Sequence, residues 1–310
     1  MKKPAKTLSI YSFMERFPDE QSAREFIENQ MWGETPICPH CGSIKNYPRK
    51  KRHGHRCGDC KKDFSVRTGT IFENSRLPLH KWLYAIYLVV TSRKGVSSLQ
   101  LSKELDITQK SAWFLLQRLR EACNSDSDSA LLQGVVEIDE TYIGGKETNK
   151  HASKKLKAGR GTVGKTPIVG MRERDTGRVM AFPINGTSKE SLETAVKETI
   201  NTRATVFTDE HAGYKGLYKY GYKHQSVNHS AKQFVDGMAH TNGIESVWAV
   251  LKRGYYGTYH QFSVKHLARY VDEFTFRLNE GNVRIDTIDR MKSMVRGGKG
   301  KQISYRQLTA

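Results

Sequence analysis

The chain has 310 residues, 37% of them hydrophobic, and a formal net charge of +19 from 51 Lys and Arg against 32 Asp and Glu. That length holds one substantial domain with one or two small modules, and the charge favours a polyanionic partner over a small neutral substrate. No apolar stretch follows the opening Met-Lys-Lys-Pro-Ala-Lys, and no run approaches the roughly 18 to 20 apolar residues of a membrane span, so a cytoplasmic protein without membrane contact is expected.

Residues 1–35 read as an N-terminal helical segment of one or two short helices, marked by Ser12, Phe13, Phe17, Ala23, Phe26 and Ile27. Residues 36–75 read as a zinc ribbon. Cys38 and Cys41 make one Cys-x-x-Cys pair, and Cys57 and Cys60 make a second after fifteen intervening residues. In a reducing compartment two such pairs offer four thiolates to a tetrahedral Zn2+ rather than forming disulfides, and a segment too short for its own core takes folding energy from the metal. Cys123, outside both pairs, reads as a small core residue. Arg49, Lys50, Lys51 and Arg52 lie between the pairs, where they contact phosphate unless they only solvate a hairpin turn. Phe64, Val66, Thr68, Thr70 and Ile71 alternate enough to extend the ribbon as a strand.

Residues 76–123 read as a helix-turn-helix-like DNA-binding region. A helix after Pro78 is written by Trp82, Ile86, Val89 and Val90. A second helix ends at Leu105, Asp106 and Ile107 make the turn, and Thr108 caps a third helix that buries Trp113, Leu116 and Leu119. Gln109, Lys110 and Ser111 fall at the start of that last helix, where side chains reach base edges in a DNA reader. The competing reading is an ordinary helical hairpin between domains. Residues 124–133, opening Asn-Ser-Asp-Ser-Asp-Ser, form a linker.

Residues 134–280 carry the chemistry. The segment 135–143 is rich in β-branched residues yet has Asp139 at its centre, a charge that a buried strand tolerates only beside a metal or a cation. Segments 167–171 and 178–184 bracket a turn and predict an antiparallel hairpin. A helix over 188–201 and a parallel strand over 205–208 follow, with Asp209 at the strand's carboxyl end, where open sheets place ligands. The order suits a mixed α/β sheet flanked by helices. Glu245 opens a helix on which Trp248, Ala249 and Lys252 follow at spacings of three, four and seven, so Glu245 holds metal and Lys252 holds phosphate from one side. Asp139, Asp209 and Glu245 are hard oxygen donors suited to Mg2+ or Mn2+, and two such ions about 3.5 to 4 Å apart serve in-line attack on a phosphodiester.

The segment from Lys146 to Lys165 accumulates seven cations, among them Lys154, Lys155, Lys157 and Arg160, with little apolar content. It reads either as a loop that orders on DNA or as an idle solvated loop. His211, His224, His229 and His240 lack a His-Glu-x-x-His pattern and read as phosphate contacts or packing residues. Trp248 reads as a core residue between helix and sheet. A closing helix spans 262–278, and residues 281–310 form a basic C-terminal tail that binds backbone phosphate or stays disordered.

Taken together, these motifs resemble the insertion-sequence DDE transposases related to the Merlin superfamily. The residues that carry the resemblance are the two Cys-x-x-Cys pairs, Glu137-Ile138-Asp139-Glu140-Thr141-Tyr142-Ile143-Gly144-Gly145, Thr208-Asp209 with Gly213-Tyr214-Lys215, and His240 to Trp248 running into Leu251-Lys252-Arg253. The resemblance implies an RNase-H-like catalytic domain behind an N-terminal zinc ribbon. It also implies a nucleoid-associated enzyme that binds double-stranded DNA at terminal inverted repeats, cleaves strands and joins them to target DNA as a homodimer or larger assembly. The family's third catalytic position is glutamate or asparagine. Glu245 is preferred here, and Asn242 then orients terminal DNA or a metal-bound water. The alternatives are a zinc-dependent DNA-binding regulator, such as a domesticated transposase without catalysis, and a structure-selective nuclease or RNase H.

Overall fold

The computed structural model describes residues 4–49, 53–124, 130–145, 150–156, 161–227 and 240–310. The chain divides into two compact units, Met1–Ser125 with Glu280–Ala310, and Asp126–Asn279.

In the first unit, α1 (Ile10–Arg16) and α2 (Glu20–Trp32) form as the aromatic spacing predicts, each started by a side-chain cap, Ser9 for α1 and Asp19 for α2. The ribbon is a three-stranded antiparallel sheet of β1 (Asn46–Arg49), β2 (Gly54–Cys57) and β3 (Asp63–Phe64). The expected extension of β3 through Ile71 does not form. Thr68 N–H returns to the Ser65 carbonyl, and the Thr70 hydroxyl donates to the Val66 and Arg67 carbonyls, so local turn bonds replace the ladder.

Next come α3 (Leu79–Thr91), α4 (Ser98–Leu105) and α5 (Gln109–Cys123). Asp106 turns between α4 and α5 in the left-handed conformation, and the Thr108 hydroxyl accepts from Ser111 N–H as the helix-turn-helix pattern requires. Cys123 is buried, its thiol turned to the Leu119 carbonyl one helical turn back.

The last thirty residues, expected as a basic tail, instead fold within this unit as two helices at the chain's C-terminal side, α9 (Thr287–Gly297) and α10 (Tyr305–Thr309). Met291, Met294 and Val295 of α9 are fully buried where it packs on α2, α3 and α5. Much of the tail's positive charge is occupied internally. Arg290 donates to the Val90 carbonyl and Thr287, Arg296 to Gln30, Lys299 to the Met31 carbonyl and Lys301 to the Glu121 and Asn124 carbonyls, while Lys292 pairs with Asp289.

The second unit is built on a five-stranded sheet. Its strands are β4 (Val135–Ile143), β5 (Thr166–Glu173), β6 (Val179–Pro183), β7 (Thr205–Thr208) and β8 (Lys223–Ser226), in the spatial order β6-β5-β4-β7-β8. The first three pair antiparallel, and β7 and β8 join parallel to β4, giving the expected mixed RNase-H-like sheet. Alternation along the strands divides the core between two faces. Val136, Ile138, Val169 and Met171 pack against Leu192, Ala195 and Val196 of α6 (Lys189–Thr199). Ile143, Ile168 and Val179 face the opposite side, against Ile244, Val247, Trp248 and Leu251 of α7 (Asn242–Gly254) and Val271 and Phe274 of α8 (Leu267–Leu278). A π-helical turn over Tyr255–Tyr259 continues α7.

Candidate active site

The carboxylates meet because of strand register. In the parallel pair, Val135, Val136 and Glu137 of β4 oppose Thr205, Val206 and Phe207 of β7. Two residues further along each strand stand Asp139 and Asp209, so the same register brings them side by side at the carboxyl end of β7. Glu140 joins them: among the described residues, Asp139, Glu140 and Asp209 each offer an oxygen, all within 4.8 Å of one another. Alternation turns Asp139 toward the α7 face and Glu140 toward the α6 face. There the buried Tyr214 donates its phenolic hydrogen to Glu140 Oε1. Asp209 Oδ1 accepts from His211 N–H at 3.0 Å, which closes the loop after β7.

Asp139 is oriented from α7. The Trp248 indole N–H donates to Asp139 Oδ2 at 3.0 Å, and Asp139 Oδ1 accepts from the Glu140 N–H at 2.8 Å. The cross-strand partner of Asp139 is Gly170, and a side chain there would collide with Trp248, since a Cβ would stand 2.3 Å from its Cη2. Glu245 lies in the first turn of α7, exposed, with Thr241 Oγ1 donating to its Oε1 at 3.0 Å. It lies outside the three-residue cluster. Asn242 and Lys252, at the first residue and last turn of α7, are also exposed.

Burial and then the Asp209 charge push the Asp139 carboxyl up to about 6, and the nearby Glu245 charge adds to the rise. Burial, Asp209 and Asp139, in that order, push Glu140 up to about 8. Negative charge is therefore concentrated beyond what the neighbouring groups neutralise. Hard oxygen donors in that state suit a divalent cation, and the residues present fit one.

In the ribbon, Cys38 Sγ and Cys60 Sγ are 3.7 Å apart and Cys41 Sγ and Cys57 Sγ are 3.6 Å apart, with all four sulfurs within 4.8 Å of one another. A tetrahedron with Zn–S bonds of 2.3 Å has edges of about 3.8 Å, so the four thiols are arranged for a structural Zn2+.

A model of the ISXO2-like transposase domain matches residues 131–279, and a model of the transposase zinc-ribbon domain from the same family matches residues 18–63. Together they take in more than half of the chain. The chain belongs to the IS1595-family DDE transposases. A protein of transposable element ISH50 from Halobacterium salinarum is 28% identical over 278 residues, which cover 84% of this chain and 91% of that protein. Among solved structures, the chain is similar to the HTLV-2 integrase catalytic core domain in complex with magnesium, at 12% identity and a TM-score of 0.29, over 50% of this chain and 90% of that one. A simian T-cell lymphotropic virus intasome in complex with PP2A regulatory subunit B56 gamma is similar at 12% identity and a TM-score of 0.31, over 62% of this chain and 68% of that one.

The DNA-contact candidates of this family member are distributed unevenly. Arg49 is half exposed and faces Asp63 at 3.6 Å. Gln109 and Lys110 are exposed at the start of α5, with Gln109 donating to Ser98 Oγ at 2.7 Å and Lys110 Nζ lying 4.5 Å from the centre of the Tyr305 ring. The Ser111 hydroxyl is 2.9 Å from that of Thr108. Lys155 is exposed after a 3₁₀ turn over Ala152–Lys154. Lys50, Lys51, Arg52, Lys157, Arg160 and His229 lie outside the described residues.

Of the histidines, His224 Nε2 is 2.9 Å from Thr208 Oγ1 and His211 Nδ1 accepts from Gly213 N–H at 3.1 Å. Both secure the loop around Asp209. Sequence reasoning missed Glu140 and Tyr214 as neighbours of the site, and it gave Trp248 only a packing role. The Glu140 and Tyr214 positions lay within the motif segments, but a contact spanning 74 residues leaves no local signal.

Proposed function

We propose that this chain is a DNA transposase that binds the ends of its element, cleaves strands there and transfers them to target DNA. The observation that carries the reading is the convergence of Asp139 and Glu140, at the middle of β4, with Asp209, just past the carboxyl end of the adjacent parallel β7, and with Glu245 on α7 near enough to act on Asp139 electrostatically. Asp139, Asp209 and Glu245 are the residues that hold Mg2+ or Mn2+, and Glu140 shares their reach. The cation, when bound, supplies Lewis-acid activation of the attacking oxygen and neutralises charge on the leaving oxygen.

The protein's own groups set the geometry. Trp248 and the Glu140 backbone fix the Asp139 carboxylate, Tyr214 fixes Glu140, and the half-buried setting of Asp139, Glu140 and Asp209 weakens the screening of these charges by water. Lys252 follows Glu245 by two helical turns and is assigned to the phosphate beside the scissile bond, while Asn242 orients terminal DNA. Arg49, Lys50, Lys51 and Arg52 of the ribbon, Gln109, Lys110 and Ser111 of α5, and Lys154, Lys155, Lys157 and Arg160 are assigned to duplex DNA. Zn2+ at the four cysteines is structural and takes no part in bond chemistry. Two terminal inverted repeats must be brought together, which requires a homodimer or larger assembly.

Labelled duplexes carrying the terminal repeats that flank the gene test this reading. Wild-type protein with Mg2+ or Mn2+ should nick the element end and join it to target DNA, and Asp209→Ala should bind the duplex but do neither. Strand transfer by Asp209→Ala at the wild-type rate would overturn the mechanism.

A further inference from the structure

Glu137 is fully buried in β4, two residues before Asp139 and on the same face of the sheet. It lies outside the carboxylate cluster, and its oxygens are taken up by other groups. Oε1 accepts from Arg174 Nε at 2.6 Å, with His240 Nδ1 3.4 Å away, and Oε2 accepts from the backbone N–H of Ile244 at 2.9 Å.

Ile244 lies in the first turn of α7, where backbone N–H groups have no partner within the helix. Thr241, the residue before α7, makes no side-chain cap and donates its hydroxyl to Glu245 instead. Glu137 therefore caps α7 from a different element, with the charge sign that a helix N-terminus favours. Gly243 leaves the room for this approach, because a Cβ there would stand 2.5 Å from Glu137 Oε2 and 2.0 Å from Arg172 Nη1. Arg174 carries the link further. Its Nη2 donates to the His240 carbonyl at 2.7 Å, and its guanidinium carbon lies 4.6 Å from the centre of the Phe207 ring, two residues before Asp209.

One largely buried ion pair thus touches β4, which bears Asp139, β7, which leads into Asp209, and the entry to α7, which bears Glu245. Buried pairs are poor stabilisers compared with well-packed apolar residues, but their directional bonds fix register. Here the register is that of α7 on the sheet, and a slip of one helical turn would move Glu245 by about 5.4 Å.

We propose that Glu137 and Arg174 are positioning residues that lock α7 against β4 and β7 and thereby set the affinity of the carboxylate site for a divalent cation. The inference rests on the reading of Asp139, Asp209 and Glu245 as that site.

The test is a Mn2+ titration of the full chain without DNA, followed by the shift in melting temperature, for wild type, Glu137→Gln, Arg174→Lys and Asp209→Asn. Glu137→Gln and Arg174→Lys should each raise the half-saturating Mn2+ concentration by about tenfold or more, the usual effect of removing a group that orients a metal site, with zinc content unchanged. A melting temperature that falls equally with and without Mn2+, at an unchanged half-saturating concentration, would reduce the pair to an ordinary structural element and overturn the inference. Should Glu137→Gln fail to fold, Arg174→Lys decides by the same criterion, since it keeps the charge and removes the planar fork. A wild type that shows no Mn2+-dependent shift, indistinguishable from Asp209→Asn, would overturn the carboxylate site itself, a different failure from the one above.

Discussion

Trp248 joins packing to chemistry in a single side chain. Its ring fills the space left by Gly170, and its indole N–H holds Asp139. Trp248→Phe keeps an aromatic ring on the sheet and deletes the donor. Single-turnover cleavage should then fall by roughly ten- to a hundredfold, the range for loss of a group that orients a metal ligand, with duplex binding retained in a parallel titration. The raised carboxyls make a second expectation. Asp139 and Glu140 hold protons more tightly in the folded chain than their ordinary values of 3.8 and 4.5 allow, so their contribution to stability is full below those values. It is lost as pH rises through about 6 and about 8. Metal-free protein should therefore lose melting temperature between pH 5 and pH 8 by this contribution, and Mg2+ should restore more at the higher pH. Equal Mg2+ effects at both values would contradict it. Asp139 was legible in the sequence because a charge interrupts an apolar run. Glu140 was not, since a second acid beside it reads as the solvent side of the same strand until Tyr214 is seen to hold it.

At the scale of elements, β4 has the predicted limits, α3, α4 and α5 form where their apolar residues place them with Thr108 capping α5, and α6 forms within the expected 188–201. The elements that escaped reading have a common physical cause. β8 is the polar edge Lys223-His224-Gln225-Ser226, which joins by backbone pairing and needs no apolar alternation. α9 and α10 were obscured by basic residues whose charges turn inward to cap carbonyls or pair locally, and composition cannot separate these from DNA-facing cations. The seat of α7 was equally hidden, because a glycine in a strand suggests a close approach without saying what approaches. Gly170→Ala should push Trp248 and α7 off the sheet. A loss of about 1 to 3 kcal/mol, typical of overpacking a filled core, is expected in chemical denaturation. A variant as stable as wild type would show that α7 is held by other contacts.

For the whole molecule, the +19 charge pointed toward DNA, but its distribution matters more than its sum. Most cations of 281–310 are spent inside the first unit, and the ribbon hairpin, the start of α5 and the segment 146–165 are, beside Lys252, the phosphate contacts we propose. Neutralising Lys154, Lys155 and Lys157 together should weaken binding across sequences and flatten its dependence on salt, while Lys252→Ala should slow cleavage or joining more than binding. Titrations at several salt concentrations paired with single-turnover cleavage separate the two, and an unchanged salt slope in the triple variant would contradict the assignment. The central claim, that Asp139, Glu140 and Asp209 form a divalent-cation site where β4 meets the end of β7, is tested most directly by anomalous scattering from crystals of the full chain soaked in Mn2+. A manganese peak within bonding distance of Asp139 and Asp209, lost in Asp209→Asn, is the predicted result, and ordered side chains with no manganese between them would contradict it.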